Sequence, residues 1–248
     1  MPTTWYFRNT NASTGPTGKA STDTDNFPAV PADKNTPKDM IATKGSGQVS
    51  IAGAYNNAGA AKKSFMRIFV SPALAAQTIT GGQANFKIAI AIRESNALMD
   101  LKARAFVYVW RSGVGNVKTL IAPQSCPTEH GANEIGCVIT ATGQAGNYAT
   151  SDGDRIIVET WLDILNTRST SYTATNYYDG TTDVVEGTAS TNAAGFFTCP
   201  QTLTLSGPTP NAFNKIAYLT EPPSAGWNKI AYESEPPVSS AWNKIKYG

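Results

Sequence analysis

The side chains able to do chemistry in this chain are few and scattered. His130 is the sole histidine, and it stands within CPTEHGANEIGC, the run from Cys126 to Cys137. A hydroxyl or thiol nucleophile would need this imidazole as its base. Pro127 and Gly131 flank it, however, in what reads as an exposed surface loop. A zinc ion could take Cys126, Cys137 and His130, but a fourth ligand would have to come from elsewhere in the fold. We expect no catalytic residue, no metal and no cofactor. The two cysteines could instead bridge each other, if their Cα atoms lie within about 7 Å and the compartment is oxidising; closing so short a loop contributes ~2–3 kcal/mol. Otherwise all three cysteines, including Cys199 in FFTCP, serve as small buried hydrophobes.

The carboxylates suggest little more. Asp152 with Asp154, Glu159 with Asp163, and Asp179 with Asp183 are pairs of the kind glycoside hydrolysis requires across a cleft. Those at turns more often accept backbone hydrogen bonds. Asp23, Asp25 and Asn26 in TDTDN have the ligand types of a calcium loop but lack its spacing and terminal Glu, so a polar turn is expected. No Gly-rich phosphate loop followed by Lys and Ser or Thr is present, which removes nucleotide chemistry.

Elements able to position such groups are strands. Phe86, Ile88, Ile90 and Ile92 alternate, as do Ala103, Ala105, Val107 and Val109 after a short interruption, the two-residue period of a sheet with a buried face. The partners of the second run, Phe106, Tyr108 and Trp110, are aromatic, so that strand should have protein on both faces, from a second layer or another subunit. Further strands are expected at 3–7, 48–54, 65–70, 117–122, 134–141, 171–178 and 201–205. Arg155 to Leu165 (RIIVETWLDIL) follows the Asp152-Gly153-Asp154 turn and is rich in β-branched residues, which favours strand over helix. About nine strands separated by Gly, Asn, Asp and Pro turns predict an all-β fold, an antiparallel sandwich of jelly-roll type. We divide the chain into an N-terminal strand and polar extended arm (1–44), a sandwich core (45–207) and a tail (208–248).

Composition narrows the partners. Charged residues are 15% of the chain, well below the usual quarter, and the net charge of +2 comes from mixed signs without a basic block. Nucleic-acid capture therefore has no footprint. No run reaches the ~18 apolar residues of a membrane span, and MPTTWYFRNT lacks the basic and apolar regions of a signal peptide. We expect synthesis in the cytosol, with exit only by lysis or within a particle.

The tail repeats itself. Phe213-Asn-Lys-Ile-Ala-Tyr218 returns as Trp227-Asn-Lys-Ile-Ala-Tyr232 and as Trp242-Asn-Lys-Ile-Lys-Tyr247, joined by Glu-Pro-Pro connectors. A unit this short cannot bury its own aromatics. The copies must stack on one another, cross the sandwich, or dock on another chain, and linked weak units raise effective concentration. Phe213, Tyr218, Trp227, Tyr232, Trp242 and Tyr247 are thus the expected assembly residues.

Trp5-Tyr6-Phe7, Asp152-Gly153-Asp154-Arg155-Ile156-Ile157-Val158-Glu159, Tyr177-Tyr178-Asp179-Gly180-Thr181-Thr182 and the Trp-Asn-Lys-Ile repeats give the chain a resemblance to virion structural proteins of tailed bacteriophages, of the β-sandwich decoration, head-fibre and tail-fibre kind. The resemblance implies a homo-oligomeric virion component whose partners are its own copies and other virion proteins, with no enzymatic activity. The alternative is a carbohydrate-binding module or adhesin for host-surface glycans, in which Tyr177, Tyr178 and Trp161, with Trp110, stack on sugar rings.

Overall fold

The computed structural model describes residues 1–56, 59–166, 169–189 and 191–207, and the backbone of 216–218 and 230–232. The chain divides into two units, Met1–Leu205 and Ser206–Gly248. The first is nearly all β, and its only helical element among the described residues is a 3-10 turn at Ala97–Met99.

In chain order its strands are β1 (Thr3–Asn11), β2 (Lys38–Ile41), β3 (Val49–Tyr55), β4 (Lys62–Val70), β5 (Thr78–Ile79), β6 (Phe86–Glu94), β7 (Leu101–Arg111), β8 (Gly115–Ser125), β9 (Ile135–Ala141), β10 (Tyr148–Ala149), β11 (Arg155–Ile164), β12 (Tyr172–Tyr178), β13 (Thr182–Asp183), β14 (Ala193–Ala194) and β15 (Phe196–Cys199). Eleven form one sheet with the path β3-β12-β6-β15-β1-β2-β4-β11-β7-β8, and β9 pairs with β6. Its pairings are antiparallel except β2 with β4. Because β9 lines β6 from Phe86 to Ile92, β12 and β15 share the other edge of β6 end to end.

The alternating strands β6 and β7 do not pair with each other. Asn96 caps the turn between them by accepting the Leu98 N–H at 3.0 Å, and Asp100 leaves it with φ 45° in the left-handed region. The chain thereby passes from one half of the sheet to the other. Ile88, Ile90 and Ile92 on β6 nonetheless join Ala103, Ala105, Val107 and Val109 on β7 in one apolar cluster. The cluster also takes Ile156, Val158, Leu162 and Ile164 of β11. β11 lies between β4 and β7 over its whole length, so both of its edges are hydrogen bonded and both faces covered. Burial of this kind accounts for an apolar run without helical period.

The aromatic partners of β7 meet a second layer from the same chain. Phe106, Tyr108 and Trp110 cluster with Phe65, Ile68, Val70, Ile157 and Trp161, and Ala12 and Ala20 pack on them. This corrects the expectation of an extended polar arm: residues 12–37 run across the sheet and are held by polar contacts. Lys34 is buried and its ammonium donates to Asp25 at 2.5 Å, the Phe27 carbonyl at 2.7 Å and the Val30 carbonyl at 3.0 Å. Buried Glu159 accepts from the Ala20 and Ser21 N–H groups and, at 3.1 Å, from Trp161 Nε1.

The expected strand at 201–205 is also corrected. Past Pro200, which has no N–H to give a ladder, the Leu203 N–H donates to Thr3 Oγ1 and the Thr204 N–H to Gln77 Oε1. Only Leu205 forms a bridge, to Leu74.

In the second unit, β16 (Ile216–Tyr218) and β17 (Ile230–Tyr232) pair antiparallel, with Ala217 opposite Ala231 and each Ile opposite a Tyr. They are the same three residues from the first and second repeats.

Candidate functional site

Cys126 follows the end of β8 and Cys137 lies on β9, so the cysteine pair joins strands that belong to different halves of the sheet. They form a disulfide with a Cα–Cα distance of 6.2 Å. On the loop-entropy model a closure over 11 residues contributes ~3 kcal/mol. Cys199 is a buried free thiol pushed up to about 11 by desolvation, and so is inert as a nucleophile.

His130 is not the exposed loop residue its neighbours suggested. It is 1% exposed, because its N–H pairs with the Leu101 carbonyl at 2.8 Å and draws the ring into the body. The ring nitrogen Nδ1 lies 3.3 Å from the same carbonyl, and Nε2 has no hydrogen-bond partner. Desolvation holds the imidazole below its ordinary pKa, so it is neutral at neutral pH. A ligand nitrogen of His130 and the two sulfurs all lie within 4.8 Å of one another.

A third segment closes this centre. Residues 184–189 dock on β9 through the Gly136 N–H to the Thr188 carbonyl and the Gly187 N–H to the Gly136 carbonyl. A Cβ at Gly136 would run into the Val185 carbonyl oxygen, so the approach requires glycine there. Docking brings the Glu186 carboxylate to the Val138 N–H and, at 3.0 Å, to Thr128 Oγ1, which is itself 3.4 Å from Cys126 Sγ. Glu186 lies 49 residues beyond Cys137 in sequence, so no local spacing could have revealed it.

The rings expected to hold a sugar are mostly inside. Trp161 is 1% and Tyr178 2% exposed, and Trp110 is buried under the 12–37 segment. Trp161 packs on Phe65 and lies under Lys19, and Tyr178 packs edge-on against Phe69, so neither offers a free face for a sugar. Tyr177 alone of the three is half-exposed. Two half-exposed rings that sequence reasoning passed over, Tyr6 and Phe196, meet edge to face at 6.0 Å. They line an open groove of about 610 Å³ with Thr4, Lys87, Asp183 and Thr198. The detectable signal was the Phe196-Phe197 doublet, since adjacent strand residues must face opposite ways.

The carboxylate pairs do not face each other across a cleft. Asp154 is buried against the Arg111 guanidinium at 2.8 and 2.9 Å, Asp163 accepts from Ser125 Oγ, Asp179 pairs with Arg8 at 2.6 Å and Asp183 with Lys44 at 3.0 Å. Asp23 takes Lys63 and Arg104, both at 2.7 Å, where a calcium loop would have needed a metal. Burial would raise the Asp23 carboxyl, but hydrogen bonds from Arg104 and Lys63 outweigh it and hold the group below its ordinary range.

Of the expected assembly residues, Phe213, Trp227, Trp242 and Tyr247 lie outside the described residues. Tyr218 and Tyr232 occupy β16 and β17, where only the backbone is described. No helix among the described residues is long and apolar enough to cross a membrane. The sequence matches no protein-family model and no curated protein.

Proposed function

We propose that this chain is a structural component of a particle, of the tailed-phage virion kind, in which a jelly-roll-like sandwich supplies the body and the repeats at 208–248 mediate assembly. The observation that carries the reading is the pairing of β16 with β17. Two copies of the repeat pair as antiparallel strands, so the unit is a strand-forming module. A strand edge is a template for a further strand. Three linked copies then give attachment by multiplicity without a tight single contact. The single apolar cluster shared by the two halves of the sheet supports a sandwich body. A disulfide supports service outside a reducing cytosol, as in a released particle.

Deleting residues 208–248 tests the reading. The truncated chain should keep the melting transition of the body and lose oligomerisation or binding to purified particles. A truncated chain that assembles as the full chain does would overturn it.

The groove carrying Tyr6 and Phe196 favours a second reading, a glycan-binding module on the same particle. Titration with host-surface polysaccharide, with Tyr6→Ala and Phe196→Ala as controls, separates the two. Binding that both substitutions abolish supports it, and no binding removes it.

A further inference from the structure

We infer that, once its disulfide is reduced, this chain holds a zinc-class divalent cation on the Cys126 and Cys137 thiolates and His130 Nε2. The two sulfurs and an imidazole nitrogen already lie within 4.8 Å of one another, all on buried residues. A tetrahedral zinc ion with ~2.3 Å bonds to sulfur needs its ligand atoms about 3.5–3.8 Å apart. The sulfurs need only separate from bonding distance to that spacing, and the backbone positions can remain where they are.

Beyond proximity, the imidazole is prepared as a ligand. A metal-binding histidine commonly donates from one ring nitrogen to a backbone carbonyl, which fixes the tautomer and leaves the other nitrogen as a bare donor. Here Nδ1 lies 3.3 Å from the Leu101 carbonyl, while Nε2 is buried with nothing to bind. A buried nitrogen without a hydrogen-bond partner is destabilising. The cation would supply its missing partner. Three protein ligands leave a fourth position for water or a neighbouring oxygen, and Thr128 Oγ1 lies 3.4 Å from Cys126 Sγ.

The chemistry balances with a thiol reductant. Two thiols are oxidised to their own disulfide as the Cys126–Cys137 bond takes up two electrons and two protons. Zn²⁺ then displaces the two thiol protons to solvent and leaves a neutral bis-thiolate centre. The same residues thus give a covalent link in oxidising surroundings and a metal link in reducing ones. Both join β9 to the end of β8. This inference does not depend on the assembly reading.

The test uses the full chain reduced with a phosphine and titrated with Co²⁺, followed by displacement with Zn²⁺. We expect one Co²⁺ per chain with thiolate-to-cobalt charge-transfer absorption, and affinity weakened on the order of 100-fold or more when the disulfide is left intact or in His130→Gln. Cys199→Ser should bind as wild type does. Independently of any variant, Zn²⁺ should slow alkylation of Cys126 and Cys137 in the reduced protein and leave Cys199 unaffected. Absence of the charge-transfer band, equal affinity in His130→Gln, or no protection of the two thiols would each overturn the inference.

Discussion

Replacing Glu94 with Gln should change how the stability of this protein depends on pH. Glu94 ends β6 fully buried, and neither carboxylate oxygen has a well-formed hydrogen bond. Burial raises its pKa from 4.5 to about 7, the charges of Glu129 and Asp100 add to the rise, and the Leu101 backbone N–H offsets part of it. Between these values the folded chain keeps a proton that the unfolded chain has released. Stability is therefore fully present below about pH 4.5 and falls as the pH rises through about 7. At 1.36 kcal/mol per unit, a rise of this size removes ~3 kcal/mol. For a domain of this length that is a fall in melting temperature of ~6–12 °C. Glu94→Gln carries no proton to lose. Melting curves of the two proteins recorded from about pH 4.5 to about pH 8 should diverge, with the variant gaining relative stability as pH rises. Any fixed packing cost of the amide shifts the variant's curve without altering that divergence. Parallel curves would refute the reasoning.

Asp154 should behave with the opposite sign. Its burial would raise the pKa, but hydrogen bonds from Arg111 and the Ser151 N–H hold it below the ordinary value, so its contribution is present at neutral pH and lost on acidification. Asp154→Asn should flatten the acid limb of the melting profile, and an unchanged limb would count against the ion pair. Glu159→Gln should destabilise by ~2–4 kcal/mol despite its similar shape, because N–H donors meet both carboxylate oxygens and an amide must turn its own donors toward one of them. Urea denaturation measures the loss, limited proteolysis should show faster cleavage within 12–37, and an unchanged midpoint would refute the account.

The sheet was legible where burial is apolar. Ile88, Ile90 and Ile92, and Val107 and Val109, alternate because one face meets the core, and RIIVETWLDIL lacks a polar stripe because β11 has none to show. The 12–37 segment was not legible for the complementary reason. Lys34 and Glu159 hold it by ion pairing and hydrogen bonds, and a hydrophobic period does not register polar contacts. The same limit hid the Cys–His centre. His130 is buried by a backbone pairing with Leu101, 29 residues away, so its own neighbours, Pro127 and Gly131, described only the turn that carries it.

The aromatic doublets show how far parity reasoning reaches. Tyr6-Phe7 on β1, Tyr177-Tyr178 on β12 and Phe196-Phe197 on β15 must each send one ring to either face. Phe7, Tyr178 and Phe197 go inward, and Tyr6, Tyr177 and Phe196 are left half-exposed. Alternation within one strand cannot say which member goes in. Register decides it: Trp5 stands opposite Phe197 and Tyr6 opposite Phe196, and residues directly opposite in a sheet share a face. Once Trp5 and Phe7 enter the core, Phe197 must follow and Phe196 must not. Of the outward set, Tyr177 and Phe196 pack against Ala89, Ala91, Val184 and Ala193. Tyr6 and Phe196 also line an open groove, so that groove replaces the buried Trp161 and Tyr178 as the surface to test for a sugar.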